Sequence, residues 1–194
     1  MRVLAIASLA LTIAAAQAPP KQARQAYDAA SKAAGVKNTV EAIRLYEKAV
    51  ALYPGYAEAW CELGKLQIQE NQPDAARKSL EAAISADPKS AGAYMHLATL
   101  EYTAKNWSAV VDVTGRLVKL NPAGYPQAYL FNAVAQYNSR DLEAAEKSAR
   151  EAQRVDPLHK VPISWTNTIF LARILANHIE NGGCPFFTAS QVSS

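Results

Sequence analysis

The sequence is short of glycine and proline, and it has no marked excess of charge of either sign. Its 194 residues include 8 glycines, 10 prolines, 20 basic and 17 acidic side chains, for a formal net charge of +3. A nucleic-acid-binding protein would show a concentrated basic face, so we expect no nucleic-acid partner. Alanine, leucine, glutamate, lysine and glutamine fill much of the remainder, and all are strong helix formers. The composition therefore predicts an all-α chain.

Catalytic and metal-binding patterns are also missing. The sequence has no G-x-S-x-G motif, no phosphate-binding loop of the Walker type and no G-x-G-x-x-G turn. Its three histidines, His96, His159 and His178, lack the short spacing of zinc ligands. We therefore expect no enzyme activity, no metal and no cofactor.

Long apolar runs are confined to the N-terminus. Met1-Arg2 forms a short positive segment, residues 3–16 are apolar, and small residues then offer a cleavage site after Ala16. This run is shorter than the roughly 20 residues that a membrane-spanning helix needs, and no later stretch qualifies. The pattern predicts a signal peptide over residues 1–16 and an exported protein, periplasmic or secreted. An uncleaved N-terminal anchor is the alternative.

Cysteine is scarce, with Cys61 and Cys184 the two in the chain. Export would bring both into an oxidising compartment, where a disulfide bridge can form and persist. The even count permits one bridge, but the sequence does not show that the two residues meet.

Four prolines recur at a nearly constant interval. Pro54, Pro88, Pro122 and Pro157 are separated by 34, 34 and 35 residues, and each follows a helical run. Proline suits the end of a helix because it cannot continue one. A fixed period of this length indicates a repeat architecture.

Within this frame, residues 57–90 resemble a tetratricopeptide repeat (TPR), a helix-turn-helix unit of 34 residues. The matching positions are Trp60, Leu63, Gly64, Ala76, Ala83 and Pro88, whereas Leu80 stands where the family usually has phenylalanine and keeps the apolar bulk. Gln67 stands where the family usually has an aromatic residue, and we expect it to weaken one packing contact. The other units are looser but keep the same register.

The resemblance implies the following organisation. After the signal peptide we expect a short linker at 17–22, four TPR units at 23–56, 57–90, 91–124 and 126–159, a capping helix at 160–183 and an irregular tail at 184–194. The predicted fold is therefore an all-α solenoid of about four TPR hairpins plus a C-terminal capping helix, since stacked hairpins bury apolar faces that none can bury alone. A truncated array, whose fifth hairpin has lost its second helix, is the alternative.

The resemblance also implies a concave groove that is lined by the first helix of each hairpin. Transferred by register, its candidate partner-binding residues are Tyr27, Cys61, Lys65, Met95, Thr99, Tyr102, Leu130, Val134 and Tyr137. These side chains are mostly apolar or aromatic, which suits a peptide with apolar anchors. The chain's own tail, with Phe186 and Phe187, could fill part of this groove and bring Cys184 to Cys61.

One TPR subtype grips the C-terminal carboxylate of a chaperone with lysine and asparagine side chains. The first-unit positions that would need them hold Tyr27 and Ser31 here, so we exclude that subtype. The sequence thus predicts an exported scaffold that binds a protein or peptide partner. The alternative is a structural or self-associating component of a cell-envelope assembly, a homo-oligomer that covers an unfinished fifth hairpin.

Overall fold

The computed structural model describes residues 18–155, and these residues form eight α-helices and no strand. In chain order the helices are α1 (Lys21–Gly35), α2 (Thr39–Leu52), α3 (Ala57–Gln69), α4 (Pro73–Ala86), α5 (Ala91–Thr103), α6 (Trp107–Leu120), α7 (Pro126–Asn138) and α8 (Leu142–Val155). Three first helices begin at residues 57, 91 and 126, where the sequence frame starts the second, third and fourth units.

Helix α1 begins earlier than the sequence frame suggests. Lys21 and Gln22 are helical although we expected them in the linker at 17–22. The Arg24 N–H donates to the Pro20 carbonyl at 3.1 Å, which closes the first turn directly after Pro20. Lysine and glutamine are good helix formers, and proline fits at a helix start because it lacks an N–H that would need a partner.

Consecutive helices pack as hairpins: α1 against α2, α3 against α4, and α7 against α8. The described residues fall into two compact units, with the boundary inside α5 between Leu100 and Glu101. In unit 1 (residues 18–100) α2 also packs against α3, and in unit 2 (residues 101–155) α6 packs against α7. Each unit is all-helical and has its own buried side chains.

Small residues dominate the core of unit 1. Its buried cluster contains Ala23, Ala26, Ala30, Ala42, Ala49 and Ala59, together with Tyr46, Val50, Tyr56, Leu63 and Leu66. Helices α3 and α4 approach each other closely at Gly64 in α3. A Cβ there would lie 2.7 Å from Leu80 Cγ and 3.3 Å from the carbonyl oxygen of Ala76, both in α4. Gly64 therefore permits a helix contact that any larger residue would disrupt.

The turn between the two helices of each hairpin repeats as regularly as the prolines. Lys37, Asn71, Lys105 and Arg140 adopt positive φ angles of 59°, 55°, 57° and 66°, at intervals of 34, 34 and 35 residues. The left-handed conformation is common just after a helix, where glycine is the usual residue. A residue with a Cβ costs roughly 1–2 kcal/mol there, so each hairpin carries a small local strain.

Gln67, which stands where the family usually has an aromatic residue, is buried with 6% of its surface exposed. Ser79 Oγ of α4 donates to Gln67 Oε1 of α3 at 2.7 Å. In unit 2 the same pair recurs 69 residues later, where Ser148 Oγ donates to Gln136 Oε1 at 2.8 Å. A polar bond between the two helices of the hairpin thus replaces the aromatic contact.

Several predictions concern residues outside 18–155: the signal peptide at 1–16, the end of the fourth unit, the capping helix at 160–183 and the tail at 184–194. These stay predictions, and so does self-association through a fifth hairpin. Of the helices between residues 18 and 155, none combines the length and the apolar character that crossing a membrane requires.

Candidate peptide-binding surface

The nine residues that the register assigns to the groove all lie on first helices. We call them the groove positions: Tyr27 in α1, Cys61 and Lys65 in α3, Met95, Thr99 and Tyr102 in α5, and Leu130, Val134 and Tyr137 in α7. Thr99 is exposed and the other eight are half-buried, whereas their helical neighbours Ala26, Leu63 and Ala98 are buried. Five of the groove positions belong to unit 1 and four to unit 2.

In unit 1 the groove begins at a cluster of tyrosines. Tyr27 stacks on Tyr56 with ring centroids 5.0 Å apart and meets Tyr46 edge-on at 5.4 Å. The Tyr46 hydroxyl, which is buried, is 3.0 Å from Ser31 Oγ, and either can donate the hydrogen bond. Burial raises the pKa of the Tyr27 phenol, and the neighbouring Tyr46 and Glu62 raise it further. The cluster is therefore neutral, and of its three rings that of Tyr27 is half-exposed.

An ion pair follows on α3. Lys65 Nζ bonds to the Glu62 carboxylate one turn earlier, and each side chain is about one-third exposed. Both charges act on their surroundings: Glu62 raises the pKa of Tyr27. Burial lowers the pKa of His96 on α5, and the Lys65 charge lowers it further. The register predicts Lys65 but not Glu62, although the i,i+3 spacing of the two residues is the usual signal of such a pair.

Cys61 lies where α3 and α5 come close. A Cβ added to Gly92 would be 3.6 Å from Cys61 Sγ. Burial raises the pKa of the Cys61 thiol to about 11, and the nearby Glu62 adds to the effect. The thiol is therefore protonated at neutral pH and acts as a small apolar side chain. Its bridge to Cys184 stays a prediction, because Cys184 lies outside the described residues.

The groove positions of unit 2 are aromatic and aliphatic. Tyr102 stacks on Phe131 at 5.0 Å and meets Trp107 edge-on at 5.7 Å. Tyr137 packs against the buried alanines Ala133, Ala145 and Ala149. The sequence does not indicate Phe131 or Trp107 as partners of Tyr102. The register places neither of them on the groove side, so only the structure shows that they hold this ring.

Residues 18–155 contain no group of three or more histidine, cysteine, aspartate or glutamate side chains that could hold a metal ion. His96 is the one histidine in this range. The groove positions, together with Glu62, thus present apolar side chains, tyrosine hydroxyls and one ion pair.

Comparisons with known proteins agree with the fold. Residues 33–94 match the family model described as Tetratricopeptide repeat. No curated protein matches the chain in sequence.

Among solved structures, the protein MamA is 21% identical with a TM-score of 0.72, over 82% of this chain and 87% of that one. YrrB, titled a TPR protein with an unusual peptide-binding site, is 18% identical with a TM-score of 0.69, over 78% of each chain. The first TPR of Spaghetti (RPAP3), bound to an HSP90 peptide, is 20% identical with a TM-score of 0.56, over 61% of this chain and 93% of that one.

These likenesses, together with the eight helices of residues 18–155, confirm the predicted fold class: an all-α fold of TPR-type hairpins.

Proposed function

We propose that this chain is a non-catalytic scaffold that binds a protein or peptide partner through the groove positions. The observation that carries the proposal is their exposure: all nine remain partly open to solvent on first helices, whereas neighbours such as Ala26, Leu63 and Ala98 are buried. Partly exposed side chains that recur in successive hairpins are available to a ligand that extends along the helices of a unit. Repeat proteins use such surfaces for recognition.

The chemistry of the surface favours a peptide with apolar anchors. Aromatic residues with small polar tips, such as Tyr27 and Tyr102, are frequent anchors because they bury a large area and still hydrogen-bond. Met95 and the protonated Cys61 add adaptable apolar contacts. The fold is shared with YrrB, whose title records peptide binding, and with the RPAP3 domain that holds an HSP90 peptide. These likenesses support peptide binding without naming the partner.

The partner class differs from the carboxylate-terminated chaperone peptides. The positions that would supply lysine and asparagine hold Tyr27 and Ser31, and the Ser31 hydroxyl is already bonded to Tyr46. No cationic side chain stands at these two positions to receive a terminal carboxylate. We therefore expect recognition of an internal peptide segment, with at most one charged contact at the Glu62–Lys65 pair.

A charge placed in the groove tests this proposal. Thr99→Arg adds an exposed cation at a groove position, and Ser85→Arg adds the same group at an exposed position of helix α4, outside the groove positions. We expect affinity capture from the native host to recover a partner with the wild-type chain and with Ser85→Arg, but not with Thr99→Arg. Equal recovery by both variants, or no partner with the wild type, would contradict the proposal.

Export is the second part of the proposal. It is supported by the short positive N-terminus, the apolar run over residues 3–16 and the small residues at its end. Intact mass measurement of the protein from its host tests it: cleavage after Ala16 leaves a chain that begins at Gln17. A chain that retains Met1 and stays with the membrane fraction would instead support the anchor.

A further inference from the structure

Unit 1 contains a cavity of about 510 Å³ between the second helices α2 and α4, and none of the nine groove positions borders it. Helix α3 contributes Trp60, Leu63 and Gln67 to its lining. Its volume lies within the range of about 300–1,000 Å³ that is typical of ligand sites. The cavity is therefore large enough to be a binding site separate from the groove.

The cavity is open to solvent, and its lining residues differ in exposure. Val50, Leu63, Gln67 and Ser79 are 5%, 2%, 6% and 4% exposed and form its floor. The exposed residues Glu47, Ala51 and Lys78 form its rim. A ligand group that reaches the floor must pass between mostly apolar walls. The rim carries one acidic and one basic side chain, which favours a group without net charge.

Trp60 presents an apolar aromatic surface to this cavity. Its indole Nε1–H donates to the Pro54 carbonyl at 2.8 Å, so the polar edge of the ring is already satisfied. The half-buried ring is then free to pack against an aromatic ligand, an arrangement that adds specific contact energy to area burial. This feature favours an aromatic group over an aliphatic one.

One hydrogen-bond donor on the floor lacks a partner. Gln67 accepts from Ser79 Oγ through Oε1 at 2.7 Å. Its side-chain amide nitrogen carries two N–H donors, and among residues 18–155 nothing accepts from them. Among the described residues the buried side-chain atoms without a partner do not include this nitrogen, so it keeps contact with solvent. A ligand that covers it would have to supply an acceptor, because a donor that is buried without one is costly.

We propose that this cavity binds a tyrosine side chain presented by a partner peptide. The ring packs against Trp60 between Val50 and Leu63, and the phenol oxygen accepts a hydrogen bond from the Gln67 amide. A phenylalanine ring would contact the same apolar residues but would leave the Gln67 amide donor without an acceptor. Leucine would also lose the ring contact with Trp60. The site gives unit 1 a second point of attachment that does not use the groove.

The test is a titration of the full chain with N-acetyl-tyrosinamide and N-acetyl-phenylalaninamide, followed by NMR at the Trp60 indole and at the surrounding amides. We expect both probes to shift these signals, with the tyrosine probe binding about 2- to 10-fold more tightly because of one added hydrogen bond. The double variant Gln67→Met, Ser79→Ala removes the donor and should abolish that difference. Equal affinities for the wild type would overturn the proposal.

Matched variants control for the location. Ala51→Trp fills the rim and should abolish binding, whereas Lys48→Trp on the same helix, away from the cavity, should leave it unchanged. Thr99→Arg in the groove should also have no effect, which separates this site from the proposed function. Binding that survives Ala51→Trp, or tighter binding of the N-acetyl-O-phosphotyrosinamide probe, would overturn the assignment.

Discussion

Replacing Gly64 with alanine should destabilise the protein, although alanine is the better helix former by about 1 kcal/mol. The new Cβ would lie 2.7 Å from Leu80 Cγ and 2.8 Å from Leu80 Cδ2, closer than real Cβ contacts come. Leu80 is fully buried, so its side chain has no open space into which it could move. Overpacking of this kind costs roughly 1–3 kcal/mol, so the gain in helix propensity is cancelled or exceeded.

Gly115 in α6 provides the matched control. It also lies inside a helix, but a Cβ there meets no described atom within 4 Å. Gly115→Ala should therefore stabilise its helix by about 1 kcal/mol. The difference between the two Gly→Ala variants isolates the crowding at Gly64, and we expect it to be roughly 1–3 kcal/mol in the free energy of unfolding.

The assay is urea unfolding followed by circular dichroism at the helix band, with hydrogen exchange to assign each loss to its unit. Leu80→Ala alone should cost about 2–5 kcal/mol. In the double variant Gly64→Ala, Leu80→Ala, the new methyl group enters the space that Leu80 vacates. The two effects should then be less than additive by about 1 kcal/mol or more, as is common for residues in contact. The reasoning would be refuted if Gly64→Ala stabilised the protein as much as Gly115→Ala does. It would also be refuted if the effects of Gly64→Ala and Leu80→Ala were strictly additive.

Three further predictions concern single side chains. Lys37→Gly should stabilise the protein by about 0.5–1 kcal/mol because it relieves a positive φ of 59°. As the control, Lys48→Gly inside α2 should lower the free energy of unfolding by about 1 kcal/mol. Urea unfolding measures both variants, and a stabilisation by Lys48→Gly would contradict the reasoning. The pKa of His96 is below its unfolded value. The contribution of His96 to stability is therefore present above about pH 6.5 and is lost as the pH falls through the folded pKa. His96→Gln should flatten the pH dependence of Tm in this range, and an unchanged pH profile would contradict the prediction. The pKa of Cys61 is raised from 9.0 to about 11. In the Cys184→Ser variant, iodoacetamide at pH 8 should therefore alkylate Cys61 about 100-fold more slowly than it alkylates an ordinary thiol. A rate equal to that of free cysteine would contradict the burial of Cys61.

Much of the fold follows from the sequence because the repeat constrains it several times over. The proline interval places the helix ends, and the W-x2-L-G positions place the first helices, so three of them start where the frame puts them. The left-handed turns could not be foreseen in the same way. Lys37 and Lys105 are neither glycine nor asparagine, and their conformation follows from the closing of the hairpin.

Less of the candidate site than of the fold can be predicted from the sequence. Register alone places Tyr27 and Lys65 on a first helix, but it does not show that Tyr27 stacks on Tyr56 or that Lys65 pairs with Glu62. Such contacts depend on how neighbouring helices bring their side chains together. Gln67 shows the limit most clearly: a departure from the family pattern suggested a weak contact, yet its partner Ser79 lies 12 residues away on the other helix.

The central claim is that the groove positions bind a partner, and site-specific photocrosslinking in the native host tests it most directly. The photoreactive residue p-benzoylphenylalanine would replace Met95 in unit 1, Val134 in unit 2, and Lys48 on α2 as the control. We expect mass spectrometry to find the same partner polypeptide attached at Met95 and at Val134, and none at Lys48. Crosslinks from Lys48 alone, or from none of the three positions, would contradict it.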